Sequence, residues 1–127
     1  MNGRTVLVVD DDKALLEAVT RVLRGAGYEV QSTRDGRAVM DMIRRQRPDV
    51  VITDIMMPDR DGVEVINEIR KSTRGIRVLA MSGRRHLGSL DLLAMAQKLG
   101  ADAALHKPFE GDELLAAIEP LFPPRPG

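Results

Sequence analysis

Five short apolar runs punctuate the chain, at residues 6–9, 28–30, 50–52, 78–81 and 103–105, each bordered by glycine, proline or charged side chains. Runs of this length with such borders predict buried strands. Between them, apolar positions recur at helical spacing. Leu15, Leu16, Val19, Val22 and Leu23 form one stripe, closed by Gly25 and Gly27. Ala38, Val39, Met42 and Ile43 form a second, which ends before Pro48. Val63, Ile66 and Ile69 make a third, stopped near Gly75, and Leu92, Leu93, Ala96 and Leu99 a fourth, closed by Gly100. Leu114, Leu115, Ile118 and Leu121 make the last, ended by Pro123 and Pro124.

Strict alternation of strand and helix predicts an α/β fold with a parallel sheet, right-handed crossovers and helices on both faces. The first, third and fourth runs are continuously apolar, which places them centrally. No repeat or linker interrupts the 127 residues. Residues 1–127 therefore read as a single domain, with a core over about 4–122 and a frayed tail at 123–127.

Composition narrows the picture. Hydrophobic residues make up 43%, enough for a proper core, and the absence of cysteine excludes disulfides and thiolate metal sites. The apolar run near the N-terminus is too short for a signal peptide, and no run approaches the roughly 18 apolar residues that span a bilayer. The expected location is the cytoplasm. Lys+Arg and Asp+Glu are both 19, so no overall charge draws the chain to nucleic acid or membrane. Local basic clusters at Arg44, Arg45 and Arg47, and at Arg70, Lys71, Arg74 and Arg77, fit cations placed near helix C-termini and on solvated faces.

Ligands of open α/β sheets bind beyond the carboxyl ends of the strands. Asp10, Asp11 and Asp12 follow the first run, Asp54 the third, Ser82 and Gly83 the fourth, and His106, Lys107 and Pro108 the fifth. The second run leads into Gln31-Ser32-Thr33, with no comparable group. Taken singly, each of these residues has an ordinary reading: a helix cap, a turn, a surface charge. Their convergence on one rim is the signal. Clustered carboxylates raise one another's pKa unless a cation neutralises them, and a hard divalent ion such as Mg²⁺ suits oxygen ligands. A carboxylate beside such an ion can attack phosphorus and form an aspartyl phosphate. A lysine and a hydroxyl can stabilise the charge spread over the phosphoryl oxygens. Asp11, Asp54, Ser82 and Lys107 supply these roles.

The segments Val6-Leu-Val-Val-Asp-Asp-Asp12, Asp54-Ile-Met-Met-Pro-Asp-Arg-Asp-Gly62, Ala80-Met-Ser-Gly83 and Lys107-Pro-Phe109, in this order, resemble a response-regulator receiver domain, of the type of the chemotaxis protein CheY. The resemblance runs from Thr5 to about Leu121. It implies a flavodoxin-like strand order 2-1-3-4-5 and a non-enzymatic, apparently stand-alone switch of two-component signalling. By the same resemblance, Asp54 accepts phosphate from a histidine kinase or phosphotransfer protein. Asp10 and Asp11 hold Mg²⁺, with Asp54 and the backbone carbonyl of Met56 as further ligands. Ser82 and Lys107 contact the phosphoryl group, the Lys107–Pro108 bond is cis, and a downstream protein rather than nucleic acid or membrane reads the result.

Two departures stand out. Receivers commonly carry Tyr or Phe three residues before the lysine, where this chain has Ala104. The stretch from Ser82 to Lys107 is also longer than the family norm, with the excess in residues 83–89. That segment is basic, and it reads either as a tolerated insertion or as a loop that closes over the phosphoryl group. His86 and His106 read as bland, and the seven methionines mostly as core filler. Two alternatives differ in class: a haloacid-dehalogenase-type phosphatase using Asp10, and a pseudo-receiver that binds partners without phosphorylation.

Overall fold

The computed structural model describes residues 4–56, 62–73, 75–83, 86–87 and 90–123. The five expected strands form one parallel sheet: β1 (Thr5–Val9), β2 (Glu29–Thr33), β3 (Val50–Asp54), β4 (Arg77–Ser82) and β7 (Ala103–His106), in the order β2-β1-β3-β4-β7. This is the 2-1-3-4-5 arrangement of the flavodoxin-like fold. The apolar runs sit where their composition places them. β3 is buried throughout and β4 beyond its first residue, whereas β2 is an edge strand and tolerates Gln31, Ser32 and Thr33 within it.

Alternation along each strand builds a core on either face. Val6 and Val8 of β1 join Leu16, Val19 and Leu23 of α1 (Lys13–Gly25) and Leu114 and Ile118 of α5 (Gly111–Ile118). Leu7 and Val9 face the other way, toward Val39 and Ile43 of α2 (Val39–Arg45), Ile66 and Ile69 of α3 (Gly62–Ser72) and Ala96 of α4 (Leu92–Lys98). Helix ends follow local chemistry. Asp12 is the N-cap of α1 and accepts from the Leu15 N–H at 3.2 Å. Glu110 and Glu113 form a reciprocal capping box at the start of α5.

Differences from expectation are local. The fourth helix ends at Lys98, one residue short of its stripe, and Leu99 is exposed. The fifth stripe continues past α5 as a 3-10 turn at Glu119–Leu121. Within the long segment after β4, an antiparallel pair forms, β5 (His86–Leu87) with β6 (Leu90–Asp91). Residues 84, 85, 88 and 89 of that segment, and 124–127 of the tail, lie outside the described residues. No helix among the described residues is long and apolar enough to cross a membrane.

Candidate functional site

Strand order reverses between β1 and β3, and there a doubly wound sheet opens a crevice at its carboxyl edge. Asp10 leaves β1 and Asp54 ends β3 at this point, so the topology alone brings two carboxylates together. Asp11 completes the group: one carboxylate oxygen from each of Asp10, Asp11 and Asp54 lies within 4.8 Å of the others. Asp12, the third acid of the run, is spent on capping α1. The cleft above them has a volume of about 430 Å³, and Met56, Ser82 and Lys107 also line it.

Lys107 reaches this group because β7 pairs with β4. Its N–H donates to the Ser82 carbonyl at 2.8 Å, which sets the lysine beside the buried serine. Its ammonium donates to Asp10 Oδ2 at 2.7 Å and Asp54 Oδ2 at 3.2 Å. The remaining oxygens take backbone donors. Asp10 Oδ1 accepts from the Asp12 N–H at 2.9 Å, and Asp54 Oδ1 from the Met56 N–H at 3.2 Å. The Lys107–Pro108 peptide is cis.

Burial governs the electrostatics. It pushes the Asp54 carboxyl above its ordinary value; the attraction of Lys107 opposes this, and the neighbouring Asp10 charge adds to it. For Lys107, burial by itself would lower the pKa. The hydrogen bond to Asp10 and the charges of Asp54 and Asp10 together outweigh it, so the ammonium titrates above its usual range. One cation thus faces two carboxylates of low exposure, with Asp11 close by, and the cleft retains an excess of negative charge. The donor set is all oxygen, mostly carboxylate, and open to solvent on one side. It fits Mg²⁺, which keeps several waters and takes one or two carboxylates.

Two residues of the site carried little weight in the sequence. Gly62 donates its N–H to the Ile55 carbonyl at 2.8 Å, and a Cβ at this position would lie 2.0 Å from the Asp54 carbonyl oxygen. Only glycine lets α3 begin this close to the strand end that carries Asp54. Its signal was a glycine at the head of an apolar stripe. Arg34, just after β2, donates Nε to the Asp11 carbonyl at 3.2 Å and braces the acidic turn. Nothing in its sequence neighbourhood marked it.

A doubly wound sheet with buried acids, a lysine and a hydroxyl at its switch point has the architecture of a receiver domain. The pattern of the response regulator receiver domain family matches residues 6–119, and the chain belongs to that family. Response regulator MprA of Mycolicibacterium vanbaalenii is 40% identical over 117 residues, covering 92% of this chain and 49% of that protein. MprA of Mycobacterium leprae is 38% identical over the same length. The chain spans about half the length of these relatives. Among solved structures, the chemotaxis response regulator CheY4 of Vibrio cholerae superposes with a TM-score of 0.84 at 27% identity, covering 95% of this chain and all of that one. The receiver domain of the Francisella response regulator 1452 gives 0.83 at 29%, covering 94% and 96%. The chain is thus a two-component receiver rather than a dehalogenase-type phosphatase.

Proposed function

We propose that Asp54 is the phosphoacceptor of this receiver, charged by a histidine kinase or a phosphotransfer protein, with Mg²⁺ held by Asp10, Asp11, Asp54 and the Met56 carbonyl. The observation that carries this reading is the position of Asp54. It ends the central strand β3, is 6% exposed, faces an open cleft, and has Lys107 on one oxygen and the Met56 N–H on the other. In the transfer, an Asp54 carboxylate oxygen forms a bond to phosphorus as the donor's P–N bond breaks, and the electron pair of that bond stays on the imidazole nitrogen. The bound ion supplies positive charge against the carboxylates and the phosphoryl oxygens. Lys107, already a fixed cation, moves its hydrogen bond from Asp54 Oδ2 to a phosphoryl oxygen and keeps Asp10. Ser82, at the end of β4, lines the same cleft and is the hydroxyl proposed to contact that group.

With Ala104 on β7, no aromatic ring occupies the position that usually follows the hydroxyl. The readout is therefore assigned to the segment that carries β5 and β6, which begins one residue past Ser82 and leads directly into α4. A downstream protein reads the altered surface. The test is phosphorylation with acetyl phosphate in Mg²⁺, followed by mass-spectrometric mapping of the acyl phosphate. The modification is expected on the peptide containing Asp54 and absent in Asp54→Asn; undiminished labelling of that variant would overturn the assignment.

A further inference from the structure

Among the described residues, most arginines outside the first helix are matched to acids, Arg4 with Glu119 among them. Arg37 pairs with Asp35, Arg44 and Arg45 with Asp41, and Arg70 and Arg77 with Asp102. Lys13, Arg21, Arg24 and Arg34 form no ion pair among the described residues. All four line one groove of about 900 Å³ between α1 and the end of β2, and Glu17 is the single acid among its lining residues. Four cations less one carboxylate leave this groove at +3, in a chain whose formal net charge is zero. Thr20 also lines the groove, and its Oγ1 is buried with no hydrogen-bond partner among the described residues. A mid-helix threonine ordinarily bonds the carbonyl one turn back, so this hydroxyl keeps an unused donor.

Structural duties explain only part of the cluster. Arg24 donates to the Val30 carbonyl at 3.2 Å, which shields the exposed edge of β2, and Arg34 braces the Asp11 turn. The side chains of Lys13 and Arg21 make no hydrogen bond or ion pair among the described residues.

We propose that the groove between α1 and β2 docks an extended acidic segment of a partner protein. Its geometry selects this occupant. From Lys13 to Arg24 the helix rises about 16 Å at about 1.5 Å per residue, and a strand-like segment of about five residues covers the same span. Charges strung out over that distance match a series of carboxylates better than one compact phosphate. No aromatic ring lines the groove, so a nucleobase finds no stacking platform. β2 is the edge of the sheet, and no further strand walls off the outer side. The proposal is independent of phosphorylation and is tested on the unmodified protein.

The experiment is a fluorescence-anisotropy titration of the full chain, without Mg²⁺, with a fluorescein-labelled decapeptide of alternating glutamate and serine. A glutamine-serine peptide is the control, and tripolyphosphate the competing small anion. Binding of the acidic peptide alone is expected, weakening as salt shortens the Debye length from about 30 Å at 0.01 M to about 8 Å at 0.15 M. Arg21→Glu, which breaks no side-chain hydrogen bond or ion pair among the described residues, is expected to weaken it roughly tenfold. Arg44→Glu, on α2, serves as a charge-matched control and is expected to change little. Amide shifts in the complex should gather at residues 13–25 and 29–34. The proposal fails if Arg21→Glu binds like the parent, if the shifts centre elsewhere, or if tripolyphosphate binds and the peptide does not.

Discussion

Asp10 and Asp54 share one lysine, and the two ways of breaking that arrangement have opposite signs. Asp54 has its folded-state pKa raised, chiefly by burial. A raised carboxyl favours folding while protonated and loses that contribution as pH climbs through its folded value. At neutral pH, in EDTA, Asp54→Asn should therefore unfold later than the parent, by about 3–6 °C. The gap should shrink toward pH 4; an unchanged or lower midpoint at pH 7.5 would show that burial and repulsion do not dominate at Asp54. Lys107→Ala removes the partner of a carboxylate with no solvent exposure and should cost roughly 3 kcal/mol in urea unfolding. The residue proposed to meet a phosphoryl group thus also offsets the charge of the two carboxylates beside it.

Among the elements, those that carry chemistry were the most legible. The apolar runs within β1, β3 and β4 are continuous and central, so the residues that follow those runs had to share a rim, and Asp10, Asp54 and Ser82 do. The edge strand was read too early, at 28–30, because Gln31, Ser32 and Thr33 look like a loop until one face of the strand is known to be open. Tyr28 is buried although it precedes β2. The β5–β6 pair was invisible, since two-residue strands carry no periodicity. Gly62 stands in the receiver-like segment but showed no role there, because close approach of a helix start to a strand end leaves no mark on spacing. It is testable against a second glycine. Gly62→Ala drives a methyl group into the Asp54 backbone and should cost about 3 kcal/mol and most of the phosphorylation rate. Gly83→Ala meets only the Lys107 side chain, at 3.8 Å, and should change stability by less than about 0.5 kcal/mol. Equal behaviour of the two, in denaturation and acetyl-phosphate labelling, would contradict this account.

At the scale of the whole molecule, the cleft is where the folded state carries unrelieved charge, so ligand and stability are linked. A cation that binds only the folded form raises stability by RT ln(1 + [L]/Kd), about 1.4 kcal/mol when its concentration is ten times Kd. Melting curves should move upward with Mg²⁺ in the parent, return on chelation, and move much less in Asp11→Ala. An Asp11→Ala variant that shifts as far as the parent would remove Asp11 from the proposed ligand set, and an insensitive parent would overturn the site.

The far end of the sheet holds a different kind of joint. Arg4 lies 5.0 Å from the Phe122 ring centre and donates to Glu119 at 2.7 Å. Tyr28 stacks on the same ring at 5.0 Å and donates to Glu119 at 2.8 Å. The entry to β1, the entry to β2 and the turn after α5 are thereby stitched into one seam. Terminal turns usually open locally and trade their amide hydrogens early. Here that freedom is withheld: the turn cannot lift without unstacking Tyr28 and freeing Arg4. Amides of residues 115–119 should therefore exchange as slowly as those of β1, and Phe122→Ala should speed both together while leaving exchange around Asp54 unaltered.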